Sequence, residues 1–192
     1  MSEILQKLNI LYDLLVDNYA PLEDELIELI YNPGKIEDTN KFASLLSKLN
    51  SSEFINPLLK QISVANKDDS WLSDYLYAVI QLLEESSVNE EFNFPENLID
   101  KLEEWIINNK GELSWKAANV LKFYESESAE RVQLKKLEEY GDFFLTYVEC
   151  ILGLLHYNKD KHLELVERIS KDSARDEELR KFCEDAITSY RS

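Results

Sequence analysis

The chain has 192 residues, 44% hydrophobic and 31% charged, with 38 acidic against 21 basic side chains and a formal net charge of -17. That apolar content builds a core and excludes a disordered chain, while four glycines and four prolines argue against a turn-rich β fold. The acidity disfavours phosphate backbones and anionic lipid, so direct binding to nucleic acid or membrane is set aside, and a basic protein is the partner such a field steers inward.

Helical periodicity runs the length of the sequence. Ile4, Leu5, Leu8, Leu11, Tyr12, Leu15 and Val16 share one face of a first helix, and a second runs from Pro21 to Tyr31, before the breaker Asn32-Pro33-Gly34. Asp38 or Thr39 caps a third helix carrying Phe42, Leu45, Leu46 and Leu49. A fourth spans Ser52 to Ala65, where Pro57 predicts a late start or a kink.

Trp71, Leu72, Tyr75, Leu76, Val79, Ile80 and Leu83 form the clearest amphipathic stripe. The acidic stretch from Ser86 to Phe94 is a loop, and Pro95 suits the first position of a sixth helix ending at Gly111. Ser114 is expected to cap a seventh, Ala129 to Tyr140 an eighth, and Phe143 to Leu155 a ninth. A turn at Asn158-Lys-Asp feeds His162 to Ser170, and Asp176 caps the last helix. The total is about eleven helices in one domain over 1–192, with irregular helices in 1–64.

Small residues recur before apolar pairs at Ala78, Ala118, Cys150 and Ala186, separated by 40, 32 and 36 residues. That spacing brackets helical-hairpin repeats. The series Asp176, Leu179, Arg180, Cys183, Ala186 and Ile187 resembles the second half of a HEAT motif, with a looser echo in Trp115-Lys-Ala-Ala118-Asn-Val-Leu121. The resemblance covers residues 70–192 and implies antiparallel helix pairs stacked as a short α-solenoid that holds another macromolecule. Uneven repeat lengths, and the missing arginine in the helices over 71–83 and 143–155, depart from the pattern. An irregular α-helical bundle is the alternative.

No chemistry-bearing motif stands out. The glycines are isolated, so no phosphate loop exists. Cys150, His156 and His162 are six residues apart, which turns about 240° per step on a helix and prevents one metal-binding face. Both cysteines fall in apolar stripes as inert core thiols. Adjacent carboxylates such as Glu84 and Glu85 diverge by about 100° on a helix and do not share a site. The expectation is a non-enzyme without cofactor or metal. Residues 1–17 lack a basic leader and no apolar run is long enough to span a membrane, which points to the cytoplasm.

The charge is uneven. Residues 1–64 carry ten acids and five bases, 65–110 eleven and three, and 111–192 seventeen and thirteen. The candidate partner-binding residues are therefore Asp68, Asp69, Glu84, Glu85, Glu90, Glu91, Glu103 and Glu104, with Phe92 and Tyr75 as aromatic anchors. Size, acidity and layout also make the chain similar to the acidic all-α immunity proteins of bacterial contact-dependent or polymorphic toxin systems. That resemblance implies a partner such as a toxin's nuclease domain. The competing expectation is a scaffold or regulatory adaptor holding a peptide between helix pairs, its acidity serving only solubility.

Overall fold

A computed structural model describes residues 19–86 and 92–191. Among them the protein is all-helical, with nine helices packed together and no strand. They are α1 (Tyr19–Ile30), α2 (Thr39–Leu49), α3 (Ile55–Ser63), α4 (Leu72–Glu85), α5 (Leu98–Asn108), α6 (Glu112–Leu121), α7 (Glu127–Leu137), α8 (Phe144–Lys171) and α9 (Glu177–Arg191). The helix expected over residues 4–16 lies outside the described residues. No helix among those described is long and apolar enough to cross a membrane.

Local chemistry explains most boundaries. Asp38 caps α2 by accepting from Lys41 N–H at 3.0 Å, and Asn50 closes it in the left-handed conformation at φ 49°. Pro57 is met by a late start: a 3-10 turn over Ser52–Phe54 precedes α3, leaving the proline in the first turn, where its missing N–H has no intrahelical acceptor. Asp176 caps α9 through Glu178 N–H at 2.8 Å.

Three expected boundaries move. Pro95 sits a turn ahead of α5 and its carbonyl accepts from Leu98 N–H at 2.9 Å. Ser114 lies inside α6 rather than capping it, because Gly111, at φ 74°, makes the turn. Ser126 is the cap of α7, accepting from Ala129 N–H at 3.1 Å, and Tyr140 falls beyond that helix. The turn expected at Asn158 is present, dividing α8 into two helical halves: Asn158 is non-helical (φ -157°, ψ 88°) and its side chain caps the second half through Lys161 N–H at 3.1 Å.

Packing follows alternation along the chain. α2, α4, α6 and α8 contact one another in succession, as do α1, α3, α5 and α7, and α3, α5 and α7 also pack on α4, α6 and α8. Glu130 of α7 meets Lys161 and His162 in the second half of α8, at 2.5 and 2.7 Å. One apolar cluster joins all nine helices, from Ile30 to Cys183, with Trp105 and Tyr75 among its largest buried side chains. Ala78, Ala118 and Cys150 are fully buried on three successive helices of the first row, where short side chains permit close approach. Both cysteines are free and buried, and burial pushes the Cys183 thiol up to about 12.

The turns are tied at regular intervals. Thr39 donates to Asp74, 35 residues on, and Ser73 to Glu112, 39 on. Gly111 N–H reaches Asp142, 31 on, and Tyr140 donates to Asp172, 32 on. Arg175 reaches back 36 residues to the Glu139 carbonyl and also donates to the carbonyl of Leu137, the last residue of α7. Its guanidinium stacks 3.8 Å from the Tyr140 ring centre. Arg175→Lys is expected to cost about 1–3 kcal/mol in a urea melt, because one ammonium cannot serve both carbonyls and stack on the ring. An unchanged midpoint would mean that water satisfies those carbonyls equally well.

Candidate protein-binding surface

The expected contact residues do not form one patch. Asp68 and Asp69 lie in the turn before α4 and Glu84 and Glu85 at its far end, so a 14-residue helix separates them by about 20 Å. Asp69 is used locally, accepting from Asn66 N–H at 2.8 Å. Glu103 and Glu104 are on α5, in the other row. Glu103 holds Arg131 at 2.7 Å and Lys135 at 3.3 Å, and the Arg131 guanidinium lowers its carboxyl pKa. Glu90 and Glu91 lie outside the described residues. Phe92 is half-buried against the core.

Tyr75 requires correction. It is fully buried, packed 5.0 Å from Trp71 between ring centres, with its hydroxyl donating to the Ile30 carbonyl at 3.3 Å. No partner reaches it. Its position on the apolar stripe with Leu72, Leu76 and Val79 already implied this. The exposed aromatic of α4 is Tyr77, 44% accessible, which falls off that stripe. Leu45 and Phe143, expected inside, are also largely exposed.

The ion pairs sink either the cation or the carboxylate. Along α4 and α6 the cation is sunk and the carboxylate stands out: Lys116 is 8% exposed against 66% for Glu112, and Lys122 10% against 43% for Glu84. Lys116 reaches Glu112 at 2.6 Å and Ser73 Oγ at 2.7 Å, and its ammonium lowers the Glu112 carboxyl pKa. Lys122 bridges Glu84 at 3.1 Å and the buried Glu149 of α8 at 2.9 Å. Glu149 also accepts from Asn119 at 2.9 Å. On α5 and α7 both orders occur: Glu103 and Glu130 lie inside with Arg131, Lys135 and Lys161 of α8 outside, whereas Lys136 is fully buried beside the part-exposed Glu139.

The reason lies in side-chain reach. A lysine stem lies along apolar surface while its ammonium extends to a neighbouring helix, so a lysine between two packed helices disappears beneath shorter carboxylates. Glu112 and Glu84 are consequently left exposed along α6 and α4 while their lysines are covered. Which cations vanish depends on helix neighbours 27 to 43 residues apart in sequence, so no local pattern announces it.

No protein family, curated protein or solved structure matches the chain.

Proposed function

We propose that this chain is a non-catalytic protein-binding domain, an immunity protein that neutralises a basic toxin such as a nuclease in the cytoplasm. Its helix pairs are read as a short HEAT-like solenoid. Support for that architecture comes from the two alternating rows of helices and from turn-to-turn ties recurring every 31 to 39 residues. The observation that carries the functional reading is the burial of Lys116 and Lys122 beneath Glu112 and Glu84, which leaves carboxylates presented along α4 and α6.

A nuclease must expose cations to hold phosphates, and an anionic face of rigid helices is the complementary surface. Binding proceeds by electrostatic steering followed by desolvation of exposed aromatic anchors on the same row, with Tyr77 replacing Tyr75 in that role.

The test is association with a cationic nuclease domain, followed from about 50 to 300 mM salt. The association rate is expected to fall about tenfold or more across that range. A rate independent of ionic strength would sink the steering mechanism. The quadruple variant Glu84→Gln, Glu85→Gln, Glu90→Gln, Glu91→Gln is expected to lose much of the affinity, whereas full retention would favour a peptide-holding adaptor whose acidity serves solubility.

A further inference from the structure

The second half of α8, residues 159–171, forms a hairpin with α9. Lys161 and His162 stand beside Glu130 near the start of α7, while Asp172 and Arg175 meet Leu137, Glu139 and Tyr140 at its end. The second half of α8 therefore runs alongside α7 in the same direction, and the chain reverses at Asn158, where the backbone leaves the helical region. α9 then packs on α8. Within the hairpin, Lys159 lies 5.1 Å from the Tyr190 ring centre and ties the two open ends together.

The seam between this hairpin and α7 is built differently from the middle of the molecule. Among the described residues, the apolar side chains that the hairpin buries are Val166, Ile169, Leu179 and Cys183, whereas α4 alone buries Leu72, Tyr75, Leu76, Val79, Leu82 and Leu83. Beside Arg175 the seam opens into a cleft of about 320 Å³ between Tyr140, Tyr147, Ala174 and Leu179, which forfeits the contacts of a close-packed core. His162 Nε2 and Arg175 Nε are both buried along the seam without completing a hydrogen bond, so its polar ties are weakened by their own desolvation. Sparse apolar burial, incomplete hydrogen bonding and an open cleft are the features of a cooperative unit of low local stability.

We propose that this hairpin is a conformational device, opening as one unit at Asn158 while α2 to α7 and the first half of α8 stay folded. Its ties to α7 are Glu130 at one end and Arg175 at the other, so it parts without breaking the core around α4 and α6.

The chain's two cysteines report on this directly. Both are fully buried, Cys183 on α9 and Cys150 on the first half of α8. Cys150 lies a turn from Gly153, which abuts Gln133 of α7 and so remains covered when the hairpin leaves. The full chain is treated with a thiol-specific disulfide reagent in urea below the unfolding transition, and labelling of each cysteine is followed by peptide mass spectrometry. Cys183 is expected to react about tenfold or more faster than Cys150, with a shallower dependence on urea, because opening exposes less surface than global unfolding. Ile106→Val, in the core of α5, is expected to speed Cys150 about two- to tenfold and to leave Cys183 unchanged, since that site stays packed in the open form. Glu130→Gln is expected to speed Cys183 about two- to fivefold. Equal labelling of the two cysteines, or equal acceleration of both by Ile106→Val, would mean that only global unfolding reaches Cys183 and would overturn the proposal. No effect of Glu130→Gln on Cys183 would mean that α9 peels away alone, which overturns it as well.

Discussion

Asp142→Ala is expected to cost about 3–5 kcal/mol of folding free energy, read as a fall in the urea midpoint, because it breaks a buried ion pair and leaves Lys136 only the part-exposed Glu139, at 3.0 Å. Lys136 is fully buried and meets Asp142 at 2.8 Å, and the Asp142 side chain is itself almost wholly enclosed. The carboxylate also accepts from Gly111 N–H at 2.8 Å, Phe143 N–H at 2.7 Å and the Ser114 hydroxyl at 2.9 Å. It therefore locks the turn before α6 to the turn before α8. Asp142→Asn, which keeps an acceptor but loses the charge, should cost about 1–3 kcal/mol. Lys136→Met should cost less than Asp142→Ala, since the carboxylate keeps three other donors. Equal stability of Asp142→Ala and wild type would show that the pair does not hold these turns together.

The same carboxyl gives a pH dependence of defined sign. Burial opposes its charge, but Lys136 and the N–H and O–H donors outweigh burial and hold its folded pKa below the ordinary aspartate value. A depressed folded pKa contributes stability that is fully present above the unfolded value near pH 4. That contribution is lost as the pH falls through the folded value. Wild type should consequently lose stability below about pH 4 more steeply than Asp142→Asn does, and parallel curves would contradict the assignment.

Gly153→Ala is expected to destabilise the protein by about 1–3 kcal/mol, although alanine is better than glycine within a helix by about 1 kcal/mol. A methyl group at Gly153 would overlap the Gln133 amide and lie 3.1 Å from Lys122 Cα. Gln133 is itself buried and has little room to turn away. The position is where α8 crosses α7 and the end of α6. Gly34→Ala is the control, since a methyl there meets nothing within 4 Å, and its effect should stay within about 0.5 kcal/mol. A thermal midpoint for Gly153→Ala at or above wild type would mean that the helices can part without cost.

These two positions illustrate what the sequence made legible. Helix content and most of the core were readable because apolar side chains recur at 3.6-residue spacing, as in Leu72, Tyr75, Leu76 and Val79, all now buried. Caps such as Asp38 and Asp176 were readable because the hydrogen bonds they make span two or three residues. Gly153, by contrast, looked like an isolated glycine in a helix. Its importance depends on Gln133 and Lys122, which reach it only through packing.

The candidate binding surface divides the same way. Helicity, acidity and the acidic maximum between residues 65 and 110 follow from the order of residues alone, since charge density and periodicity are local sums. Which acids remain available follows from helix packing. It neutralised Glu103 with Arg131 and Lys135, enclosed Tyr75, exposed Tyr77, and sank Lys116 and Lys122 beneath Glu112 and Glu84. The physical reason is that a long cationic side chain reaches across to a neighbouring helix, so the charge left for a partner depends on which helices stand side by side.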